Sequence, residues 1–286
     1  MGRISIMKSG CQIFLLLSVV VTCVCAQAKP DKTAGSLVPA STVKVVYVGN
    51  EGVLVTHAGR SVLIDGLHRE YDPDYLFPPP ELLSAMESAR PPFNNVRVVL
   101  VSHIHLDHFH PESVGLHLKN NPKATLVSSA QTTLEIAKNY RDHESVRNQV
   151  REFTPEWKQK KQFDIEGIKV TVLGMKHGSD RFWWVKNLGH LVEIGGKKLF
   201  QFGEADMTVE NFAAFDLPKE KIDVAFVPYW YFLSESGRKL VREQIAAKTY
   251  VAVHIPPASA DKESERIRGL FPGLFTLTAI RQELEF

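Results

Sequence analysis

The chain has 286 residues, 44% of them apolar, enough to bury a sizeable core in one large domain or two. Its 34 basic and 32 acidic residues nearly cancel, which gives no reason to expect nucleic acid or an anionic membrane as a partner. All three cysteines, Cys11, Cys23 and Cys25, fall in the first 25 residues.

That first stretch reads as a leader. Arg3 and Lys8 precede the apolar run Ile13 to Val24, and Ala26-Gln27-Ala28 follows it. A basic start, an apolar centre and an Ala-x-Ala site are the pattern of a cleavable export signal over residues 1–28, cut after Ala28 or after Ala26. An uncleaved anchor is disfavoured because the run falls short of the roughly 20 residues that span a bilayer. The mature chain then has no thiol, no disulfide and no cysteine ligand, and 32 basic residues face 32 acidic ones. The expected location is the periplasm or the exterior, without stable membrane insertion. Residues 29–42, polar with Pro and Gly, read as a flexible spacer.

Three short β-branched strands follow, Val43 to Val48, Gly52 to Thr56 and Ser61 to Ile64, with turns at Gly49-Asn50-Glu51-Gly52 and Ala58-Gly59-Arg60. Asp65 ends the third, either as a turn former or as part of a site. Glu70 to Pro92 is loop-rich, with a short helix over Glu81 to Glu87. Its Tyr71, Tyr75 and Phe77 are candidates for a substrate mouth, although a plain surface loop is the simpler assignment.

Val96 to Val101 has the pattern of a buried strand and leads into Ser-His-Ile-His-Leu-Asp-His-Phe, 102–109. Alternation along an extended chain puts His103, His105 and Asp107 on one side and Ile104 and Leu106 toward a core. His108 turns back toward the same space. Three imidazoles and a carboxylate so close together are costly unless something pairs with them, and a divalent cation does so. A chance match to His-x-His-x-[Asp/Glu]-His is expected in roughly two chains per thousand of this composition.

This motif resembles the signature of the metallo-β-lactamase superfamily, and the resemblance extends from about Val43 to about Ile255. It implies a four-layer αβ/βα sandwich, two mixed β-sheets with helices outside, in a single domain over 43–286. It also implies one or two zinc ions on the His-x-His-x-Asp-His loop, with Asp65 supporting that loop from behind.

Pro111 to Lys119 reads as a helix, Ala124 to Ser128 as a strand and Ala130 to Asn139 as a helix, an α/β alternation. His110 and His117 do not fit the motif spacing and are taken as structural or exposed. The strand Gly167 to Val172 continues to His177. That residue supplies the third ligand that His103 and His105 lack, in the order the superfamily uses. Arg181 to Trp184 carries Phe182, Trp183 and Trp184, a core edge or a substrate lip. Leu188 to Ile194 and Lys197 to Phe202 form a hairpin around Gly195-Gly196. His190, inside its first strand, is a buried structural residue by default and otherwise a support of the site.

The hairpin ends Phe202-Gly203-Glu204-Ala205-Asp206. The superfamily places Gly-Asp here, with the Asp bridging two metals; this chain has Glu204 next to the glycine and Asp206 two residues on. Position favours Glu204 and the shorter arm favours Asp206, so both are expected ligands, with a slight preference for Asp206. Val209 to Phe215 is a short helix, Ile222 to Val227 a strand ending in Pro228-Tyr229-Trp230-Tyr231, and Ser236 to Ala246 a helix. Thr249 to Val253 is the last central strand and delivers His254, matching the superfamily's final histidine. A helix and a strand complete the tail.

The resemblance therefore implies His103, His105, Asp107, His108, His177, Glu204 or Asp206, and His254 around two zinc ions, with iron or manganese as substitutes. Two divalent ions against two carboxylates leave the site cationic and favour hydroxide over water, since one bound zinc already lowers the water pKa to about 7. That hydroxide can attack an ester, lactone or phosphodiester, and Asp107 can orient it and carry its proton. The expectation is an exported zinc-dependent hydrolase of a small-molecule or lipid-like substrate, not of nucleic acid. A β-lactamase and a non-catalytic exported metal-binding protein are the alternatives.

Overall fold

The computed structural model describes residues 42–178 and 180–286; the expected export signal and nearly all of the expected spacer lie outside them. Strands β1 (Lys44–Gly49), β2 (Gly52–His57) and β3 (Arg60–Ile64) form the expected antiparallel meander. After helix α1 (Pro80–Glu87), β4 (Val96–Leu100) runs parallel to β3. Helix α2 (Pro111–Asn120), β5 (Thr125–Ser128), α3 (Ala130–Asn139) and β6 (Val150–Glu152) extend the parallel half. The second sheet repeats this plan: β7 (Lys160–Ile165), β8 (Ile168–Lys176) and β9 (Lys186–Ile194) are antiparallel and lead into β10 (Lys197–Gln201). Short helices α4 (Val209–Ala213) and α5 (Leu217–Glu220) then precede β11 (Val224–Pro228). Helix α6 (Glu235–Leu240) precedes β12 (Thr249–Val253), which joins β10 and β11 in parallel. Helix α7 (Ala260–Leu270) is followed by β13 (Phe275–Thr276) on that sheet and by β14 (Glu283–Glu285), which crosses back to pair with β1.

Each sheet therefore has seven strands, ordered β14-β1-β2-β3-β4-β5-β6 and β13-β12-β11-β10-β9-β8-β7. Alternation decides the layers. Val45, Val55, Val62, Val98 and Leu100 from one sheet meet Val170, Val192, Val224, Phe226 and Val251 from the other in one fully buried seam. The opposite faces bury separate cores. One lies under α1 to α3 (Leu63, Val99, Met86, Val114, Ile136), the other under α4 to α7 (Phe202, Phe212, Ala252, Ile267). This is the expected α/β sandwich of two mixed sheets with helices outside.

Three details differ from the sequence reading. Strands β6 and β7 were not anticipated; they are sheet edges, and their charged, exposed side chains (Arg151, Glu152, Lys160, Lys161) read as loop while keeping the edge from pairing with another chain. Extended geometry stops at Leu100, and the following loop turns, with the N–H groups of His108 and Phe109 both donating to the His105 carbonyl. Ile104 and Leu106 therefore do not face a core; Leu106 is 49% exposed. The helix expected over 236–246 is α6 followed by a widened π-helical turn, Val241–Ile245. Among the described residues no helix is long and apolar enough to cross a membrane.

Candidate metal centre

The loops after β3, β4, β8, β10 and β12 meet at one rim, where strand ends in layered α/β folds carry function. Several strand ends are turned by left-handed backbone. Asn50 (φ 48°), Asp65 (φ 43°) and His254 (φ 60°) all sit in this region, tolerated best by Asn, Asp and His among side-chain-bearing residues. Such conformations cost about 1–3 kcal/mol each and persist where surrounding contacts over-determine them. Gly203 (φ 54°) is the fourth; a Cβ there would lie 2.6 Å from Asn187 Oδ1 and 2.8 Å from Ser102 Cβ, so only glycine lets the β10 end approach the histidine loop.

The side chains delivered this way form two groups that share one carboxylate. His103, His105, His177 and Glu204 each offer a ligand atom within 4.8 Å of the others, and Asp107, His108, Glu204 and His254 do the same. Glu204 divides its oxygens between them. Oε2 lies 2.8 Å from His177 Nε2, 3.5 Å from His105 Nδ1 and 3.6 Å from His103 Nε2, while Oε1 lies 3.0 Å from His254 Nε2. Asp107 Oδ2 closes the second group, 3.0 Å from His254 Nε2 and 3.2 Å from His108 Nε2. Asp206 joins neither group, contrary to the preference for its shorter arm: its N–H donates to the Lys176 carbonyl and its carboxylate accepts the Thr208 hydroxyl. Position next to Gly203, not length of the arm, decides between the two carboxylates.

The donor chemistry fits divalent cations. His177 Nε2 and His108 Nε2 are buried without a hydrogen-bond partner, and both aim at carboxylate oxygens of the cluster. Two far nitrogens are fixed from behind: His108 Nδ1 lies 3.0 Å from Asp65 Oδ2, and His103 Nδ1 lies 3.0 Å from Ser102 Oγ. An Nδ1–H donated to Asp65 leaves His108 Nε2 as a lone pair toward the cluster. Burial opposes charge throughout. Even so, the bonds from His108 and Ser102 hold Asp65 at about 2. Asp107 and Glu204 are held well below the usual carboxylate range by the histidines around them, and His254 is lifted to about 9 by those same two carboxylates. Without a cation, protons on imidazole supply the positive charge these carboxylates demand.

The residues expected behind the ligands are also placed. Asp65 is fully buried and accepts from the Ser102 N–H (2.7 Å), the Ser102 hydroxyl (2.6 Å) and Gln201 Nε2 (2.8 Å). His190 is buried opposite Gln201 across the β9–β10 pair and takes part in neither ligand group; burial lowers its pKa to about 4. Two neighbours in the Gly49–Gly52 turn that are not among the expected site residues are structural parts of the site. Asn50 Nδ2 donates to Asp107 Oδ2 (2.9 Å) and to the Asp107 carbonyl (3.2 Å), while its own carbonyl accepts from the His254 N–H (3.0 Å) and the Tyr47 hydroxyl (2.9 Å). One residue thus ties the loop of one sheet to the loop of the other. Glu51, fully buried, accepts from Gln201 Nε2 at 2.6 Å, and burial raises its carboxyl to about 7.

Aromatic rings fence the cluster. The Tyr71 hydroxyl donates to Asp107 Oδ1 (3.3 Å), and the Tyr75 ring stands edge-on to His254 at 5.3 Å, so the 70–77 segment borders the site instead of being a plain surface loop. Phe182 lies edge-on to His105 (4.5 Å) and His177 (5.3 Å), and Trp230 edge-on to His254 (4.9 Å). His110 and His117 stay outside; His110 caps α2, and His117 bonds the Met86 carbonyl at 2.7 Å.

Comparison with known proteins agrees with this geometry. The family described as "Beta-lactamase superfamily domain" matches residues 44–253. The metallo-β-lactamase fold protein YhfI of Bacillus subtilis superposes with a TM-score of 0.59 at 13% identity, over 86% of this chain and 99% of that one. An isothiocyanate hydrolase from Delia radicum gut bacteria gives 0.56 at 15% identity, over 85% and 99%. Igni18, a metallo hydrolase from Ignicoccus hospitalis, gives 0.54 at 16%, over 86% and 98%. No curated protein matches the sequence at a significant level. A family match spanning both sheets and every strand that bears a ligand makes this chain a member of the β-lactamase superfamily, with the metallo-β-lactamase fold.

Proposed function

We propose that this protein is an exported, metal-dependent hydrolase that cleaves an ester, lactone or phosphodiester with two cations held on the shared Glu204. The observation that carries the reading is the division of Glu204 between two complete triads, His103/His105/His177 and Asp107/His108/His254. All donors are nitrogen or oxygen, a set suited to zinc and compatible with iron or manganese. When bound, such a pair supplies a nucleophilic hydroxide at neutral pH and Lewis acidity toward the substrate oxygen.

The chain's own residues do the rest. Asp107 points Oδ2 at the second triad and leaves Oδ1, with the Tyr71 hydroxyl on it, at the cleft wall. That oxygen is placed to take a proton from the attacking group and to return it to the leaving group. Asn50, Asp65 and Ser102 hold the ligands in one orientation, so little reorganisation accompanies the reaction. Export rests on the residue 1–28 pattern alone.

The test is a panel of p-nitrophenyl esters, γ-lactones and bis-p-nitrophenyl phosphate, assayed with and without chelator. At least one class is hydrolysed, activity disappears on chelation and returns with zinc, and Asp107→Asn loses at least roughly a hundredfold of it, within the range for a proton-transfer group. Hydrolysis that survives chelation would sink the proposal.

A further inference from the structure

Large apolar side chains are seldom left in water without a reason when they gather in one place. Among the described residues eight are exposed, and three of them, Tyr71 (46%), Leu106 (49%) and Trp184 (47%), line one cleft beside the candidate metal centre. A cleft of about 420 Å³ opens there, lined by Tyr71 and Tyr75 on one side, Phe182 and Trp184 on the other, and Ile104 and Leu106 between, with Asp107, His105 and Glu204 at its base. That size lies within the range of about 300–1,000 Å³ typical of small-molecule sites. The wall is continuous with the ligands, because the inner ring, Phe182, already touches His105 and His177. Neither nearby cation lines this cleft: Arg181 stacks on Phe182 at 5.3 Å, and Lys176 sits over the Trp157 ring at 3.7 Å.

We infer that the substrate carries an apolar chain of several carbons next to its scissile group, and that this chain lies along Leu106, Phe182 and Trp184 while the scissile group meets the metal centre. The inference rests on the hydrolase reading for the second half of that statement only. Polar metabolites without such a chain would leave the exposed rings in water and gain nothing from them. An aliphatic chain covers them, and each methylene that leaves water on a half-exposed wall tightens binding roughly two- to fourfold.

The test pairs turnover with binding. Zinc-loaded protein is assayed on p-nitrophenyl acyl esters of two to eight carbons and on alkyl p-nitrophenyl phosphates of the same lengths. In parallel, butanol, hexanol and octanol are titrated against the tryptophan emission of loaded and of metal-stripped protein. In whichever series is cleaved, kcat/KM climbs roughly two- to fourfold per methylene, chiefly through KM, and alkanol Kd falls by the same step with or without metal. Leu106→Ser and Trp184→Ala flatten both slopes, whereas Leu270→Ser, at an exposed apolar residue outside the cleft lining, leaves them intact. A flat chain-length profile in the alkanol titration, or slopes unchanged in both cleft variants, overturns the proposal. Cleavage of neither series, nor of γ-lactones bearing the same chains, alongside a steep alkanol slope overturns the hydrolase reading and leaves the apolar site standing.

Discussion

Replacing Asn50 separates the two cation positions. Its amide donates to a buried carboxylate, Asp107 Oδ2, at 2.9 Å, and Asn50 itself is only 2% exposed. A hydrogen bond to a charged group contributes about 1.5–3 kcal/mol, so its loss weakens whatever Asp107 holds roughly ten- to a hundredfold. Alanine brings a second effect, because it keeps a Cβ at φ 48° without the polar side chain that eases this conformation for asparagine, at about 1 kcal/mol relative to glycine. Glycine relieves that strain and isolates the amide. The backbone bonds from His254 and Tyr47 survive in both variants, since they use the carbonyl. Displacement of zinc by a chromophoric chelator should therefore show one site, that of Asp107, His108 and His254, weakened to a similar extent in Asn50→Gly and Asn50→Ala. The site of His103, His105 and His177 stays within about threefold of wild type, as expected of a group with no contact to it. Metal-stripped Asn50→Ala melts below metal-stripped Asn50→Gly. Equal weakening of both sites, or none in the glycine variant, refutes the argument that Asn50 acts through Asp107.

Glu204→Ala removes the carboxylate common to both groups and should lower metal content below two ions per chain, whereas Asp206→Ala should leave it unchanged by elemental analysis. Asp65→Asn can keep an oxygen for the Ser102 N–H but puts an NH2 group where His108 Nδ1 and the Ser102 hydroxyl need an acceptor, and metal affinity should drop by about 10–100-fold in the same chelator competition. Acid should destabilise the fold through buried neutral imidazoles remote from the cations. Burial lowers His117, so the unfolded chain takes up a proton near pH 6.5 that the folded chain refuses, and stability falls as pH drops below that value. Thermal melts at pH 7 and pH 5 should show a smaller acid loss in His117→Gln, whose side chain can still bond the Met86 carbonyl; an unchanged loss contradicts the assignment.

How far the sequence could be read depended on whether a residue's role was local. His103, His105, Asp107 and His108 are legible because their spacing alone concentrates four donors, whereas His177 and His254, single histidines after strands, stand out only through the order in which the superfamily places its ligands. The choice between Glu204 and Asp206 is not legible, since position and arm length point to different residues and the left-handed turn at Gly203 that aims them leaves no mark beyond the glycine itself. Leu106 is misplaced because alternation is extended past the end of β4. Asn50 and Glu51 stayed hidden inside a Gly-x-x-Gly turn, because nothing local shows that the turn is buried against a loop more than fifty residues away. Tyr71 and Tyr75 lie in a segment with no periodicity, whose position is set by contact with Asp107 and His254. The edge strands β6 and β7 carry the charge that edges need, and that charge erases their strand signature.

The central claim is that Glu204 joins two cation sites into one centre. Elemental analysis of the purified chain after loading with excess zinc and gel filtration tests it most directly. About two ions per chain are expected, both removed by excess chelator. One ion per chain or none would contradict it.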